Sequence, residues 1–147
     1  MSDPQQYCTF HLANLYFGVS VLNVQEVIKF QPMTFVPLAS RAVSGLINLR
    51  GQIVTAIDLR RRLELEERED SEPPMNVVIR TDEGPVSLLV DDIGDVLEVS
   101  DSSYEPPPST MKGVAKELIT GVHKLEGRLL LILDIAKVVM VPLLKEV

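Results

Sequence analysis

Tryptophan is missing from this chain of 147 residues, cysteine occurs once and histidine twice. Each scarcity closes off a kind of chemistry. Cys8 has no second cysteine with which to form an intramolecular disulfide, and with only His11 and His123 beside it there is no Cys/His set at metal-ligand spacing. Neither a metal nor a cofactor is therefore expected. Aromatic residues make up 5% of the chain, too few for a platform on which nucleic-acid bases could stack. Neither G-x-G-x-x-G nor G-x-x-x-x-G-K-[ST] occurs, so no loop is built to cradle phosphate. The aliphatic runs Leu129–Leu133 and Val138–Val141 fall far short of the roughly 20 apolar residues that span a bilayer. No direct membrane insertion is expected. The start, MSDPQQ, has neither the basic nor the apolar region of a secretory signal, and a soluble, cytoplasmic protein is the expectation.

Charge is present but unevenly placed. Residues 1–63 hold six Lys/Arg against three Asp/Glu, and residues 64–147 hold eight against eighteen, so a net charge of −7 divides into +3 and −10. Such asymmetry speaks of protein partners more than of fold. Nucleic acid is disfavoured, since backbone binding needs clustered cations along a contact face. The triplet Arg60-Arg61-Arg62 is followed at once by Glu64, Glu66 and Glu67 and reads as a solvated helix face.

The most informative feature is a repeat. GLINLRGQIVTAIDLRRRL (45–63) and GVHKLEGRLLLILDIAKVV (121–139) align without a gap 76 positions apart, matching Gly45 to Gly121, Gly51 to Gly127, Ile57 to Leu133 and Asp58 to Asp134. A weaker match at 69 positions sets Val19, Val24, Glu26 and Val27 on Leu88, Ile93, Asp95 and Val96. A unit of this size cannot bury its apolar face alone, so two copies are expected to pack together.

Strands are expected over Tyr7–Leu12 and Leu15–Val21 around a turn at Ala13-Asn14, over Gly45–Arg50 and Gln52–Ile57 around Gly51, and over Met75–Arg80 and Val86–Val90 around residues 81–85. Gln25–Phe30 is ambiguous. Gln31–Leu38, with Pro32 and Pro37, reads as an extended connection. Asp58 should cap a short helix over Leu59–Leu65, and its equivalent Asp134 another over Ile135–Leu144, interrupted at Pro142. Glu64–Pro74, with six acids and two prolines, reads as a solvated linker. Asp101–Thr110 is a loop, because three consecutive prolines rule out helix and central strand. The class is all-β: two small barrels with short helices, joined by a hydrophobic seam because a barrel of about 70 residues is marginal alone. One barrel is expected over about 17–73, completed by a terminal segment, and the other over about 74–140.

No catalytic constellation emerges, and an enzyme is not expected. His11 and His123 read as surface or rim residues. Asp58 and Asp134, equivalent by duplication, do the same capping job twice rather than dividing acid and base roles. Asp91-Asp92 reads as an acidic turn, since a hard cation needs several converging oxygens. Arg50 stands out, because its counterpart is Glu126. A guanidinium at a hairpin mouth can present its fork to a partner carboxylate or form a structural salt bridge, and both readings stay open.

The segments GLINLRGQIVTAIDLRRRL, FGVSVLNVQEVI and VSLLVDDIGDVLEV resemble the CheW-type chemotaxis coupling proteins and the regulatory domain of the histidine kinase CheA. The resemblance covers about residues 5–140, and N-L-R-G-x-I followed by I-D-L-R is a specific motif. It implies a single CheW-like domain of two SH3-like, five-stranded β-barrels sharing a hydrophobic core. The implied function is an adaptor that couples transmembrane chemoreceptors to a CheA-type kinase in signalling arrays, or a coupler of a related system controlling twitching or another output. By motif position, Glu26 and Arg50 would face the receptor's helical tip, with Gly45, Val86 and Ile93 at the groove between barrels. Cys8, Val21 and Val24 would belong to an apolar patch that docks on the kinase regulatory domain, through a modest interface of the transient type. Thr55 departs from the family, where many members carry proline. The chain resembles the free-standing coupler, with no kinase or receiver segment beside it.

Overall fold

A computed structural model describes residues 5–67 and 73–141. It contains β1 (Gln5–Leu12), β2 (Leu15–Ser20), β3 (Val24–Ile28), β4 (Val43–Leu49), β5 (Gln52–Asp58), α1 (Leu59–Arg62), β6 (Met75–Thr81), β7 (Gly84–Val90), β8 (Asp92–Val99), β9 (Tyr104–Glu105), α2 (Val114–Leu118), β10 (Ile119–Leu125), β11 (Arg128–Leu133) and α3 (Ile135–Val138). Two sheets result, ordered β3-β6-β7-β5-β4 and β8-β1-β2-β11-β10-β9. The ambiguous stretch is therefore a strand, β3. At the edge of its sheet none of its residues is fully buried, and Glu26 takes a half-covered position while Val27 takes an exposed one, so its polarity does not follow the strand period. Residues 68–72 of the expected linker, and 142–144 of the expected last helix, lie outside the described residues.

Each sheet is closed by the chain crossing from one edge to the other. After β3 the chain reaches β4, where Thr34 N donates to Leu46 O at 2.8 Å and Leu46 N donates to Thr34 O at 2.9 Å. After β8 it reaches β10 as β9, Glu105 lying opposite Val122. Val122 is 76 positions beyond Leu46, so β9 is the second copy of the Thr34 bridge. Five strands were expected in each barrel, and the second has six only because this closure extends over two residues.

The repeat holds register for register. Thr55 opposes Val86 in the parallel pair β5–β7, and their counterparts Leu131 and Phe17 oppose each other in β11–β2. Val27 opposes Val77, and Val96 opposes Cys8. Bulges recur between Val43 and Gly45 and between Ile119 and Gly121. The weak match at 69 positions is thereby as real as the strong one at 76. The sheets, however, do not divide near 73–74. The first takes β3, β4 and β5 from the first repeat and β6 and β7 from the second, and the other sheet takes the remainder. The cause is local: only Val21–Asn23 separates β2 from β3, and only Asp91 separates β7 from β8, so each repeat passes directly from one sheet into the other.

Three apolar clusters follow. Ile47, Leu49, Val54, Ala56, Val78 and Leu89 fill one barrel, and Tyr7, Tyr16, Leu130 and Ile132 the other. Between them a larger seam joins Phe10, Leu12, Phe17 and Val19 to Val77, Ile79, Leu88 and Val90. β6 and β7 thus bury both faces, and for that reason read as apolar runs rather than alternating ones.

Both caps form as expected. Asp58 accepts from Arg60 N at 3.0 Å, and Asp134 from Lys137 N at 3.3 Å. The arginine triplet is not the solvated face expected of it. Arg60 pairs with Asp91, Arg61 reaches Glu67 at 3.0 Å, and Arg62 donates to the α3 carbonyls of Val138 at 2.9 Å and Lys137 at 2.8 Å. A four-residue helix against the seam has too little free surface to leave three guanidinium groups in water.

Candidate functional surface

The β4–β5 hairpin turns on two residues, Arg50 and Gly51, since Leu49 pairs with Gln52. Both are left-handed, with φ of 51° and 86°, and Asn48 Oδ1 accepts from Gly51 N at 2.8 Å. A left-handed arginine is uncommon, because its Cβ crowds the following carbonyl. In the second copy only Gly127 of the corresponding pair has positive φ. The strained conformation therefore belongs to the copy whose turn carries the cation.

Arg50 meets Glu26 of β3 through two parallel bonds, Nη1 to Oε2 at 2.7 Å and Nη2 to Oε1 at 2.5 Å. The carboxylate is mostly covered, at 20% side-chain exposure, while Arg50 remains 70% exposed. A guanidinium in this fork geometry holds the Glu26 carboxyl below its ordinary range, and Glu26 in turn raises Arg50. Because β3 and β4 are opposite edges of one sheet, the pair also spans the closure of the barrel. Of the two readings of Arg50, the salt bridge is present, and it leaves the guanidinium mostly exposed.

Val86 lies in a cross-strand row running Val24, Ile79, Val86 and Thr55. Ile53, two residues along β5 from Thr55 on the same face, is 62% exposed. Thr55 itself pairs with Leu46 on one side and Val86 on the other, so its departure from the family pattern falls in a central strand, not at a strand edge. Ile93 belongs to the other sheet, opposite Phe10, and is the counterpart of Val24. Val24, Val86 and Ile93 are half-buried against the seam. Gly45 is buried, and an added Cβ would lie 2.8 Å from Thr34 O, so its place follows from barrel closure. The structure therefore joins Glu26 to Arg50, sets Val24 and Val86 in one row with Ile79 between them, and buries Gly45 beneath the Thr34 bridge.

Cys8 sits between Val19 and Val96, half-buried, with its thiol pushed up by burial. Val96, 58% exposed, extends this face, and Val21 lies in the turn that leaves β2. Ile53 and Val96 do not stand out from the sequence as surface residues of these faces. Each could have been found as an apolar residue at an outward position of a strand, had the seam's extent been known.

His123, expected at the surface or rim, is buried at 1% exposure between the Tyr7 and Tyr104 rings, with Nδ1 2.7 Å from Ser103 Oγ. Its counterpart is Ile47, also buried. The position is inward in both copies, and a histidine fills it where two tyrosines surround it. Among the described residues no group of three or more His, Cys, Asp or Glu converges, and no helix is long and apolar enough to cross a membrane.

The model of the CheW-like domain matches residues 6–141. The chain belongs to the CheW-like family. Among CheW-like relatives, the chemotaxis protein CheW of Treponema pallidum is 30% identical over 142 residues, covering 93% of this chain and 84% of that protein. That of Bacillus subtilis is 35% identical over 118 residues, covering 80% and 76%. The crystal structure of the scaffolding protein TtCheW from Thermoanaerobacter tengcongensis superposes with a TM-score of 0.80 at 28% identity, covering 89% of each chain. The two barrels are the SH3-like pair of the CheW-like fold, and family membership carries a chemotaxis adaptor or scaffold role.

Proposed function

We propose that this CheW-like chain couples chemoreceptors to a CheA-type histidine kinase, in the cytoplasm at membrane-associated receptor arrays. The Arg50–Glu26 pair carries the reading, because a strained turn holds a mostly exposed guanidinium in place beside exposed Ile53 and half-buried Val86. A helical receptor tip offers a carbonyl or carboxylate to the remaining Arg50 donors and apolar side chains to Ile53 and Val86, with Ile93 supporting the groove from the other sheet. Gly45 contributes by holding β4, and so the hairpin, against Thr34. The kinase regulatory domain takes the separate face of Cys8 and Val96 with the adjoining Val21; Val24, expected with them, stands instead in the row of Val86. An adaptor needs two such faces held rigidly, and the shared seam supplies the rigidity. Mixing the chain with purified kinase and a receptor signalling fragment is expected to raise autophosphorylation above that of either pair. Arg50→Ala should abolish the rise while leaving kinase binding unchanged. Full stimulation by Arg50→Ala, or no binding of wild type to either partner, would remove the proposal.

A further inference from the structure

The β6–β7 turn, α3 and the turn after β2 line an open cleft of about 810 Å³ outside the Arg50–Glu26 surface. The repeat explains why it is open. In the first copy the corresponding space lies between α1 and the β1–β2 turn, and Arg60 fills it. The Arg60 guanidinium pairs with Asp91, with Nε 2.9 Å from Oδ1, and donates to Glu66 O at 3.0 Å. Asp91 in turn accepts from Ala13 N at 2.8 Å. Carried across by 76 and 69 positions, Arg60 becomes Ala136, Asp91 becomes Leu22 and Ala13 becomes Asp82. Both members of the ion pair are lost together.

The vacated space keeps a mixed lining. Val139, Met140 and Val141 supply an apolar wall, Met140 being 73% exposed. Among the described residues the lining carries three carboxylates, Asp82, Glu83 and Asp134, and one cation, Arg80. Three carboxylates against one guanidinium favour a cationic partner, and the first copy shows that an arginine on an apolar stem fits this place in the fold.

We propose that the cleft docks a cationic amphipathic segment of a partner protein, one arginine entering where Arg60 lies in the first copy and apolar neighbours covering Val139 and Met140. The proposal does not depend on the receptor and kinase assignments, and its test uses neither.

The probe is a synthetic amphipathic peptide of leucine, alanine and arginine, compared with the same peptide carrying glutamate for arginine. Amide spectra of the full ¹⁵N-labelled chain report binding. The arginine peptide is expected to shift Asp82, Glu83, Ala136 and Met140, with affinity falling as salt rises, and the glutamate peptide to shift none. Leu22→Asp with Ala136→Arg rebuilds the first copy's ion pair and should abolish binding. Asp82→Asn with Glu83→Gln should weaken it by about tenfold, a loss typical of charge-assisted contacts. Equal binding of both peptides, or none by either, overturns the proposal. So does wild-type affinity in the rebuilt variant. If that variant fails to fold, unchanged affinity in Asp82→Asn with Glu83→Gln overturns it alone. Binding that emerges only when residues 142–147 are deleted assigns the cleft to this chain's own last residues, and equally overturns it.

Discussion

Arg50 is a residue whose worth lies in position. The bidentate contact with Glu26 keeps that carboxylate ionised to lower pH than an ordinary glutamate. Its folded value lies below its unfolded one, so the contribution to stability is present above the ordinary glutamate range and fades as pH falls through the depressed folded value. A carbon-detected titration of Glu26 is expected to show a midpoint below that of a free glutamate, moving upward in Arg50→Ala. An unmoved midpoint would mean that the two side chains are not paired in solution. Arg60 differs in kind. Its side chain is 14% exposed and ties α1, the β7–β8 link and the β1–β2 turn together through Asp91. Arg60→Ala is expected to cost about 2–3 kcal/mol, the scale of hydrogen bonds to charged groups, measurable as a lowered urea midpoint. The triplet 60–62 looked alike in sequence because three adjacent arginines differ only in what the fold brings to them.

At the scale of elements, the short connections do most of the work. Gly45 and Gly121 occupy the same bulge in β4 and β10, and each lies beneath the chain that closes its barrel. A Cβ would fall 2.8 Å from Thr34 O in one and 2.6 Å from Glu105 O in the other. Gly45→Ala is expected to destabilise by roughly 1–3 kcal/mol, as overpacking does, and to speed amide exchange at Thr34 and Leu46. Exchange unchanged at both amides would show that the closure gives way without strain. These hairpins, their Gly turns and the Asp caps were legible from residue type and spacing, since turn and cap chemistry is local. The sixth strand was not. Tyr104–Glu105 carries no strand pattern of its own and is a strand only because β10 lies beside it.

For the whole molecule, the exchange of strands between repeats decides how it folds. Neither sequence repeat owns a complete sheet, and the seam of Phe10, Phe17, Ile79 and Leu88 draws on both. Residues 1–73 and 74–147, produced separately, are each expected to lack a cooperative transition, and mixing them should restore one. A half that melts cooperatively alone would contradict the exchanged arrangement. The intact chain should unfold in a single step, because opening either barrel strips the seam from the other. The same architecture holds the Arg50–Glu26 surface and the Cys8–Val96 face at a set separation, the property an adaptor requires.

The duplication, the all-β class, the two capped helices and the unusual arginine at a repeated turn were determined by the sequence alone, because the first is a likeness between two stretches of residues and the others rest on interactions among residues within a few positions of one another. Which sheet each strand joins, that Arg50 faces Glu26, that His123 is buried and that Ala136 and Leu22 leave a cleft were decided only by the tertiary structure. Those outcomes depend on contacts between segments tens of residues apart, and hydrophobic burial is non-directional: it favours packing the apolar faces together without specifying which repeat covers which.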